Sequence, residues 1–134
     1  MPDFNQQIID EFHANGGQVG GMFEHATLLL LHHRGAKTGT ERVSPLGYLP
    51  LGDTFAIFAT KAGAPTNPAW YYNLVANPST NIEVGTETIP VRARVAEGDE
   101  RERIWTTQKE RVPQMADYEQ KTTRRIPVIV LERA

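Results

Sequence analysis

The stretch from Leu28 to Asn77 constrains the fold most, because short apolar segments alternate in it with turns that contain glycine or proline. It opens on four consecutive leucines, a run that is typical of a strand buried on both faces. The pattern predicts strands at residues 26–33, 42–49 and 54–60. The turn from Gly35 to Gly39 separates the first two strands, and Gly52-Asp53 closes a hairpin to the third. Pro45 lies within the second strand and predicts a sheet edge or a bulge there.

The rest of the chain predicts helices at 2–15, 68–76 and 99–112, a short helix at 113–121 that continues towards 125, and strands at 80–84, 87–95 and 126–132. Asn67 is expected to cap the second helix, with Pro68 at its first helical position. Alternation in the strand 87–95 directs Val95 inward with Ile89 and Val91. Six short, mostly hairpin-connected strands predict an α+β fold: a small antiparallel barrel with helices outside, in one domain at 1–134.

The first helix carries an apolar face formed by Phe4, Ile8, Ile9 and Phe12, which favours packing against the core. A helix that lids a pocket or associates weakly with a membrane surface is the alternative. Asp10 and Glu11 on its polar face, without lysine or arginine, oppose membrane binding.

Composition narrows the function and the location. The chain has 134 residues, no cysteine and a net charge of −2, which exclude thiol chemistry and disfavour general nucleic-acid binding. It begins with a polar, acidic segment unlike a signal peptide, so the expected location is the cytoplasm, with contact at the inner face of the membrane as the variant. A monomer is expected, with a dimer as the alternative.

Basic residues gather in the same stretch that constrains the fold. It holds four basic residues, Arg34, Lys37, Arg42 and Lys61, against two acidic ones, although the whole chain is acidic. Cations at the ends of apolar strands, beside turns containing glycine, can hold a phosphate or carboxylates. The alternative from composition alone is a set of solvated turn cations.

The sequence offers no complete set of nucleophile, base and acid. Ser44 and Ser79 are the only serines, and neither lies in a Gly-x-Ser-x-Gly elbow. His32 and His33 are adjacent, so on a strand they point to opposite faces and cannot grip one metal together. Walker and Rossmann glycine patterns are absent. Cations, turns and the aromatic pair Trp70 and Tyr71 fit an enzyme whose cofactor carries the chemistry.

Two segments, GAKTGTERVSPLGYL and ATKAGAPTNPAWYYNLVANP, resemble the deazaflavin-dependent nitroreductases and F420H2-dependent quinone reductases of actinobacteria. The close match covers roughly 28–78, and the terminal RRIPVIVLER also fits. The resemblance implies a split β-barrel that binds coenzyme F420, a deazaflavin with a phospholactyl-oligoglutamate tail. Reduced F420 would pass a hydride to a quinone or another electron-poor acceptor.

The resemblance also implies roles for individual residues. The turn 36–38 would approach the phosphate and the tail, and Arg42 would bind an anionic part. The segment 58–61 would line the deazaflavin, and the start of the second helix would close the site. Thr60 and Tyr118 would serve catalysis. The implied cofactor-binding residues are Ala36, Lys37, Thr38, Arg42, Val43, Ser44, Pro45, Leu46, Gly47, Phe58, Ala59, Thr60, Lys61, Ala69, Trp70, Tyr71, Tyr72 and Asn73.

The chain departs from the nitroreductase that activates bicyclic nitroimidazoles. That protein carries tyrosines through the segment matching 112–118, where only Tyr118 survives here, and an aromatic residue at the position of Gly47. These departures alter the acceptor pocket and leave the cofactor turns intact. Two alternatives stay open: an oxidoreductase that uses FMN on the same barrel, and a non-catalytic carrier of F420.

Overall fold

Residues 4–17 and 28–134 are described in a computed structural model, and they form four helices and seven strands. The helices are α1 Phe4–Ala14, α2 Ala69–Ala76, α3 Gly98–Arg111 and α4 Gln114–Gln120. The strands are β1 Leu28–Arg34, β2 Glu41–Gly47, β3 Leu49–Leu51, β4 Thr54–Phe58, β5 Ser79–Val84, β6 Glu87–Val95 and β7 Val128–Arg133. Residues 2 and 3 of the first predicted helix and residues 26 and 27 of the first predicted strand lie outside the described residues.

The sheet is antiparallel and curls until its two edges meet. Its strand order is β2-β1-β5-β6-β7-β4-β3, so the consecutive strands β2 and β3 occupy opposite edges. Only Tyr48 joins them, and one residue spans roughly 3.5 Å of chain. The edges must therefore come together, which makes the sheet a split barrel. The α+β barrel prediction is confirmed, and Pro45 lies on an edge strand as expected.

One predicted strand is in fact two. The sequence indicated a continuous strand at 42–49, whereas the chain leaves the β1 partner after Gly47 and pairs with β4 from Leu49 onwards. The sheet therefore has seven strands instead of six. The hydrophobic pattern runs unbroken through Tyr48, so it carries no sign that the pairing partner changes there.

The four leucines of β1 are buried on both faces of the sheet, as predicted. Leu29 and Leu31 belong to the barrel interior, where α2 contributes Trp70 and Leu74. On the other face, Leu28 and Leu30 contact a cluster from α1. That cluster consists of the buried side chains Ile8, Ile9 and Phe12. The core-packing interpretation of α1 is thus confirmed for these three residues.

A second apolar layer covers the outside of β4 and β7. Ile104 and Trp105 of α3 are buried there as predicted, and Phe58 contacts Trp105 with ring centroids 5.8 Å apart. The helix α4 adds the half-buried Met115 and Tyr118, and it ends at Gln120 without continuing to 125. Among the helices of the described ranges, none is long and apolar enough to cross a bilayer.

Two local predictions are wrong. Val95 is 40% exposed, because β6 reaches its last pairing position there and leaves the cover of the core. Pro68 is the N-cap of α2 with an extended backbone, not its first helical residue. The Asn67 side chain makes no cap hydrogen bond, since it accepts one from Arg124 instead.

Candidate functional site

The inner face of β2 carries alternate residues of the predicted site. Cross-strand pairing sets Ser44 opposite Leu31 and Arg42 opposite His33, so these side chains share one face of the sheet. Leu46 packs against the barrel interior on the same side. Val43 faces the other way and contacts the α1 cluster. Of the predicted segment, Val43, Pro45 and Gly47 therefore offer this face their main chain alone.

A hydrogen-bond chain with a buried centre links three predicted segments. The main-chain N–H of Ala36 donates to Asn73 Oδ1 at 3.0 Å, which ties the turn to α2. Asn73 Nδ2 contacts His33 Nδ1 at 2.9 Å. His33 Nε2 contacts the Ser44 hydroxyl at 2.9 Å on β2. The sequence analysis assigned cofactor binding to Ala36, Asn73 and Ser44, and His33 joins all three.

His33 is neutral at ordinary pH. Burial, followed by the positive charges of Arg42 and His32, lowers its pKa from 6.5 to about 4. The side chain is 5% exposed, so a charged imidazole would lose its hydration there. Both ring nitrogens have partners, and neither partner is a carboxylate. His33 is therefore a hydrogen-bonding core residue, and sequence reasoning considered it only as a metal ligand.

His32 has a different environment on the opposite face. Its ring nitrogens contact Glu41 at 3.0 Å and Glu83 at 2.8 Å, and Glu83 also contacts His13 of α1 at 2.8 Å. Burial alone would lower the pKa of His32, but the two carboxylates together outweigh it and raise that pKa. Glu41, the acid next to Arg42 in sequence, is thus engaged away from the inner face.

Arg124 organises the loop that follows β4. Its guanidinium donates to the Thr60 carbonyl at 2.8 Å, to the Ala64 carbonyl at 2.9 Å and to Asn67 Oδ1 at 2.8 Å. The predicted segment 58–61 is thereby fixed to the start of α2. Sequence reasoning missed Arg124, because an arginine pair before β7 gives no sign of contacts some sixty residues away.

Lys61 and Thr60 are presented by a tight turn. Lys61 has a φ of 46°, a left-handed conformation that is rare for a residue with a side chain, and it begins a 3-10 turn at Lys61–Gly63. Its Nζ contacts Thr66 Oγ1 at 3.3 Å. Within the described ranges, the half-buried Thr60 hydroxyl has no hydrogen-bond partner. A hydroxyl without a partner, beside a strained turn, can form a hydrogen bond with a ligand.

Tyr118 reaches the same turn through its main chain. A Cβ added to Gly63 would lie 2.9 Å from the Tyr118 carbonyl, so α4 packs directly on the turn and only glycine fits there. The Tyr118 ring, however, packs towards the outer apolar layer with Met115 and Leu51. The structure therefore brings Tyr118 close to Thr60 while its side chain follows the outer face.

The three cations of the site are exposed and available. Lys37 lies in a turn closed by hydrogen bonds from Gly35 N–H to the Thr40 carbonyl and from Gly39 N–H to the Gly35 carbonyl, each at 2.9 Å. Among the residues that the structure describes, neither Lys37 nor Arg42 nor Lys61 pairs with a carboxylate. Cations held on rigid turns without internal counter-ions fit an anionic ligand.

The aromatic residues of α2 divide between core and surface. Trp70 is 7% exposed and belongs to the barrel interior. Tyr71 is half-buried, while Tyr72 is 52% exposed and meets the Tyr71 ring edge-on at 5.3 Å between centroids. Ala69 is exposed at the helix start. Tyr71, Tyr72 and Ala69 can contact a ligand directly, whereas Trp70 supports them from beneath.

The segment 58–61 is divided in the same way. Phe58 faces the outer layer under α3, whereas Ala59 is buried in the barrel interior. The strand β2 also contacts β4, which brings this segment beside the inner face that carries Ser44. All four predicted segments are thus held together, through His33 and Asn73 on one side and Arg124 on the other.

Comparison with known proteins identifies relatives along nearly the whole chain. The model of the F420H(2)-dependent quinone reductase family matches residues 6–133. An F420H(2)-dependent quinone reductase of Mycobacterium tuberculosis strain H37Rv is 36% identical over 126 residues, which cover 91% of this chain and 85% of that protein.

Solved structures agree with these matches. One described as an F420-H2 dependent reductase, FDR-A, has a TM-score of 0.73 at 38% identity and covers 79% of this chain and 94% of its own. Another, described as a domain-swapped dimer, has a TM-score of 0.75 at 34% identity, with 94% and 96% covered. The family match, the curated relative and the barrel topology all indicate the same relationship. The chain belongs to the F420H(2)-dependent quinone reductase family.

Proposed function

We propose that this protein is an oxidoreductase that transfers a hydride from reduced coenzyme F420 to a quinone. The observation that carries the proposal is the family match over residues 6–133, together with a site in which the four predicted segments are held by partly buried hydrogen bonds. When bound, the deazaflavin supplies two-electron hydride chemistry, so the protein needs no nucleophile of its own.

The residues present fit the cofactor. Lys37, Arg42 and Lys61 supply charge for a phosphate and for glutamate carboxylates, because each is exposed and unpaired by carboxylates within the described ranges. The inner face of the barrel offers the half-buried hydroxyl of Ser44 to a planar ring. Tyr71 and Tyr72 can close over one edge of the site.

Thr60 is the residue that we assign to the acceptor. Its hydroxyl can donate to the quinone oxygen on which negative charge grows after hydride arrival, and only contacts that strengthen at that stage raise the rate. Arg124 holds the main chain of Thr60 in place. We assign Tyr118 a weaker role as proton source, since its ring follows the outer layer.

The reaction is tested directly by measuring the oxidation of F420H2 by a small quinone. The loss of the reduced cofactor's absorbance reports the rate. Turnover with F420H2 and none with FMNH2 is the expected result. Turnover with FMNH2 alone would establish the FMN alternative. Tight F420 binding without turnover on any quinone would establish the carrier.

The anion site makes the first prediction. Replacing Lys37 or Arg42 by alanine removes a charge-assisted contact worth about 1.5–3 kcal/mol, so F420 affinity should fall about tenfold or more. Binding should also weaken as salt rises. Arg111→Ala is the matched control, because Arg111 is an exposed cation in the last turn of α3. Unchanged affinity in both site variants would refute the assignment.

We propose that the protein acts as a monomer, with a dimer as the alternative. Light scattering coupled to size exclusion, with activity measured across the eluted peak, tests this. Activity confined to a dimer peak would contradict it.

A further inference from the structure

We propose that His33 is a positioning residue of the cofactor site, which holds the Ser44 hydroxyl as a hydrogen-bond donor to an acceptor oxygen of the bound deazaflavin cofactor. The inference rests on the proposed function, because it takes the inner face of β2 as the place where F420 binds. It adds a residue, His33, to which neither the motifs nor the family match assigns a role. It also specifies that the Ser44 hydroxyl donates its hydrogen bond to the cofactor.

The direction of these hydrogen bonds follows from the main-chain N–H of Ala36, a group that can only donate. The Ala36 main-chain N–H donates to Asn73 at 3.0 Å, so the atom it meets must be the amide oxygen. The amide nitrogen of Asn73 is therefore turned towards His33 and donates to Nδ1 at 2.9 Å. His33 Nδ1 must accept, and in a neutral imidazole the single proton then lies on Nε2.

The protonated Nε2 of His33 points at Ser44. The distance from Nε2 to Ser44 Oγ is 2.9 Å, so the imidazole donates and the serine oxygen accepts. Ser44 therefore keeps its own proton for a different partner. Within the described ranges that hydroxyl has no second contact, and Ser44 is half-buried, so the proton is free to face a ligand.

Burial keeps each of these hydrogen bonds in the direction described. His33 is 5% exposed and Asn73 is 7% exposed, so water cannot easily replace either contact, and reversal of the chain would leave the Ala36 N–H facing another donor. The ligand chemistry that fits an obligatory donor is an acceptor oxygen. F420 offers such oxygens in two parts of the molecule: a carbonyl of the deazaflavin ring, and the phosphate and carboxylates of its tail.

Binding measurements separate the sources without any turnover. F420 binding is followed by quenching of deazaflavin fluorescence, in parallel with the same deazaflavin lacking the phospholactyl-oligoglutamate tail. Ser44→Ala should weaken F420 binding about tenfold. Equal weakening with both ligands identifies the deazaflavin ring, and weakening with F420 alone identifies an oxygen of the tail. Ser79→Ala, which alters the only other serine, should change neither.

Substitutions at His33 test whether it acts through Ser44. His33→Asn can still meet Asn73 but is too short to reach Ser44, so it should weaken F420 binding about as much as Ser44→Ala. His33→Gln keeps a donor of suitable length and should restore most of the affinity. The double variant His33→Asn with Ser44→Ala should bind no worse than Ser44→Ala alone, because the two residues act as one unit.

Unchanged binding of both ligands by Ser44→Ala would overturn the inference, and this variant carries little risk to folding because Ser44 lies on an edge strand. Additive losses in the double variant would also overturn it, since His33 would then act by another route. Lys37→Ala and Arg42→Ala keep the two proposals apart. If they weaken binding while Ser44→Ala does not, the cofactor site stands and the role of His33 falls.

Discussion

At the scale of single residues, the hydroxyl of Thr60 makes the sharpest prediction. Thr60→Val keeps the shape of the side chain and deletes only the hydroxyl, which has no other partner in the described part of the chain. If the hydroxyl binds charge that develops on the quinone, F420 affinity should stay near normal. Turnover should fall about tenfold or more, equivalent to about 1.4 kcal/mol in the barrier.

Steady-state kinetics with F420H2 and a small quinone, together with F420 binding, measure both quantities. Thr88→Val is a suitable control, because Thr88 is an exposed threonine on β6 that faces away from the core. A Thr60→Val enzyme as fast as the parent would leave Thr60 as an ordinary strand-end residue. Tyr118 or solvent would then be the proton source.

The sequence names candidate site residues where a motif contains them, and not where their role depends on distant contacts. The cations Lys37 and Arg42 stood out because they interrupt an acidic chain beside glycine turns. His33 did not, since its meaning depends on Asn73, forty positions later, and on the main chain of Ala36. In the sequence, His32 and His33 were considered only as metal ligands, and their places on opposite faces of a strand opposed that role.

At the scale of elements, the loop between β4 and α2 depends on one guanidinium. Arg124→Ala removes donors to two main-chain carbonyls and to Asn67, contacts with a charged donor that contribute about 1.5–3 kcal/mol each. We expect a lower free energy of unfolding, weaker F420 binding and faster tryptic cleavage after Lys61. Urea unfolding, F420 fluorescence and mass spectrometry of the digest measure the three effects.

Arg125→Ala is the matched control for this prediction. Arg125 is adjacent, 65% exposed at its side chain, and pairs only with Glu102 within the described ranges. It should change none of the three measurements appreciably, because exposed ion pairs contribute little to stability. Equal cleavage rates at Lys61 in both variants would mean that the loop is held by other contacts.

The helix α4 and the residues before it bear on acceptor choice. Val112 and Met115 are half-buried where the nitroimidazole-activating relative carries tyrosines, and α4 packs on the turn that presents Thr60. An aromatic contact is worth about 0.5–1.5 kcal/mol, so losing two should lower kcat/KM on a bulky bicyclic nitroimidazole about tenfold relative to a small quinone. Comparable kcat/KM on both acceptors would show that these side chains do not select the substrate.

Elements were predicted well where periodicity is strong. The spans of α1, α2, α3, β5 and β6 agree with the sequence pattern to within two residues over the described ranges. The failures lie where tertiary contacts decide. β2 and β3 read as one strand because a change of pairing partner leaves no mark in a hydrophobic pattern. The predicted Asn67 cap does not form, because the Asn67 side chain accepts a hydrogen bond from Arg124 instead.

At the scale of the whole molecule, closure of the barrel creates the site. Joining the opposite sheet edges through Tyr48 brings the end of β2 beside the end of β4. The sequence predicted a small barrel from hairpin-connected strands, but strand order at the edges depends on long-range pairing that local pattern does not encode. The resemblance to a known family implied the split barrel but not its strand order.

The whole fold also carries a predicted pH dependence. In the unfolded chain a histidine titrates near 6.5, whereas burial, followed by Arg42 and His32, lowers the pKa of His33 to about 4. Between these values the unfolded chain binds a proton that the folded chain does not. The free energy of unfolding should therefore fall as the pH drops from about 6.5 to about 4, by at most about 1.4 kcal/mol per pH unit from this residue.

His32 affects the free energy of unfolding at the higher end of this pH range. Although burial lowers its pKa, Glu41 and Glu83 outweigh that effect and raise it, so its contribution is present below about 6.5 and is lost as the pH rises through the folded value. The fall in the free energy of unfolding at acid pH therefore comes from His33 and the carboxylates. Urea unfolding at pH 7 and pH 5, in the parent and in His33→Gln, isolates the histidine because the carboxylates are common to both. The parent should lose more unfolding free energy than the variant, and equal losses would show that His33 is protonated in the folded chain at pH 5.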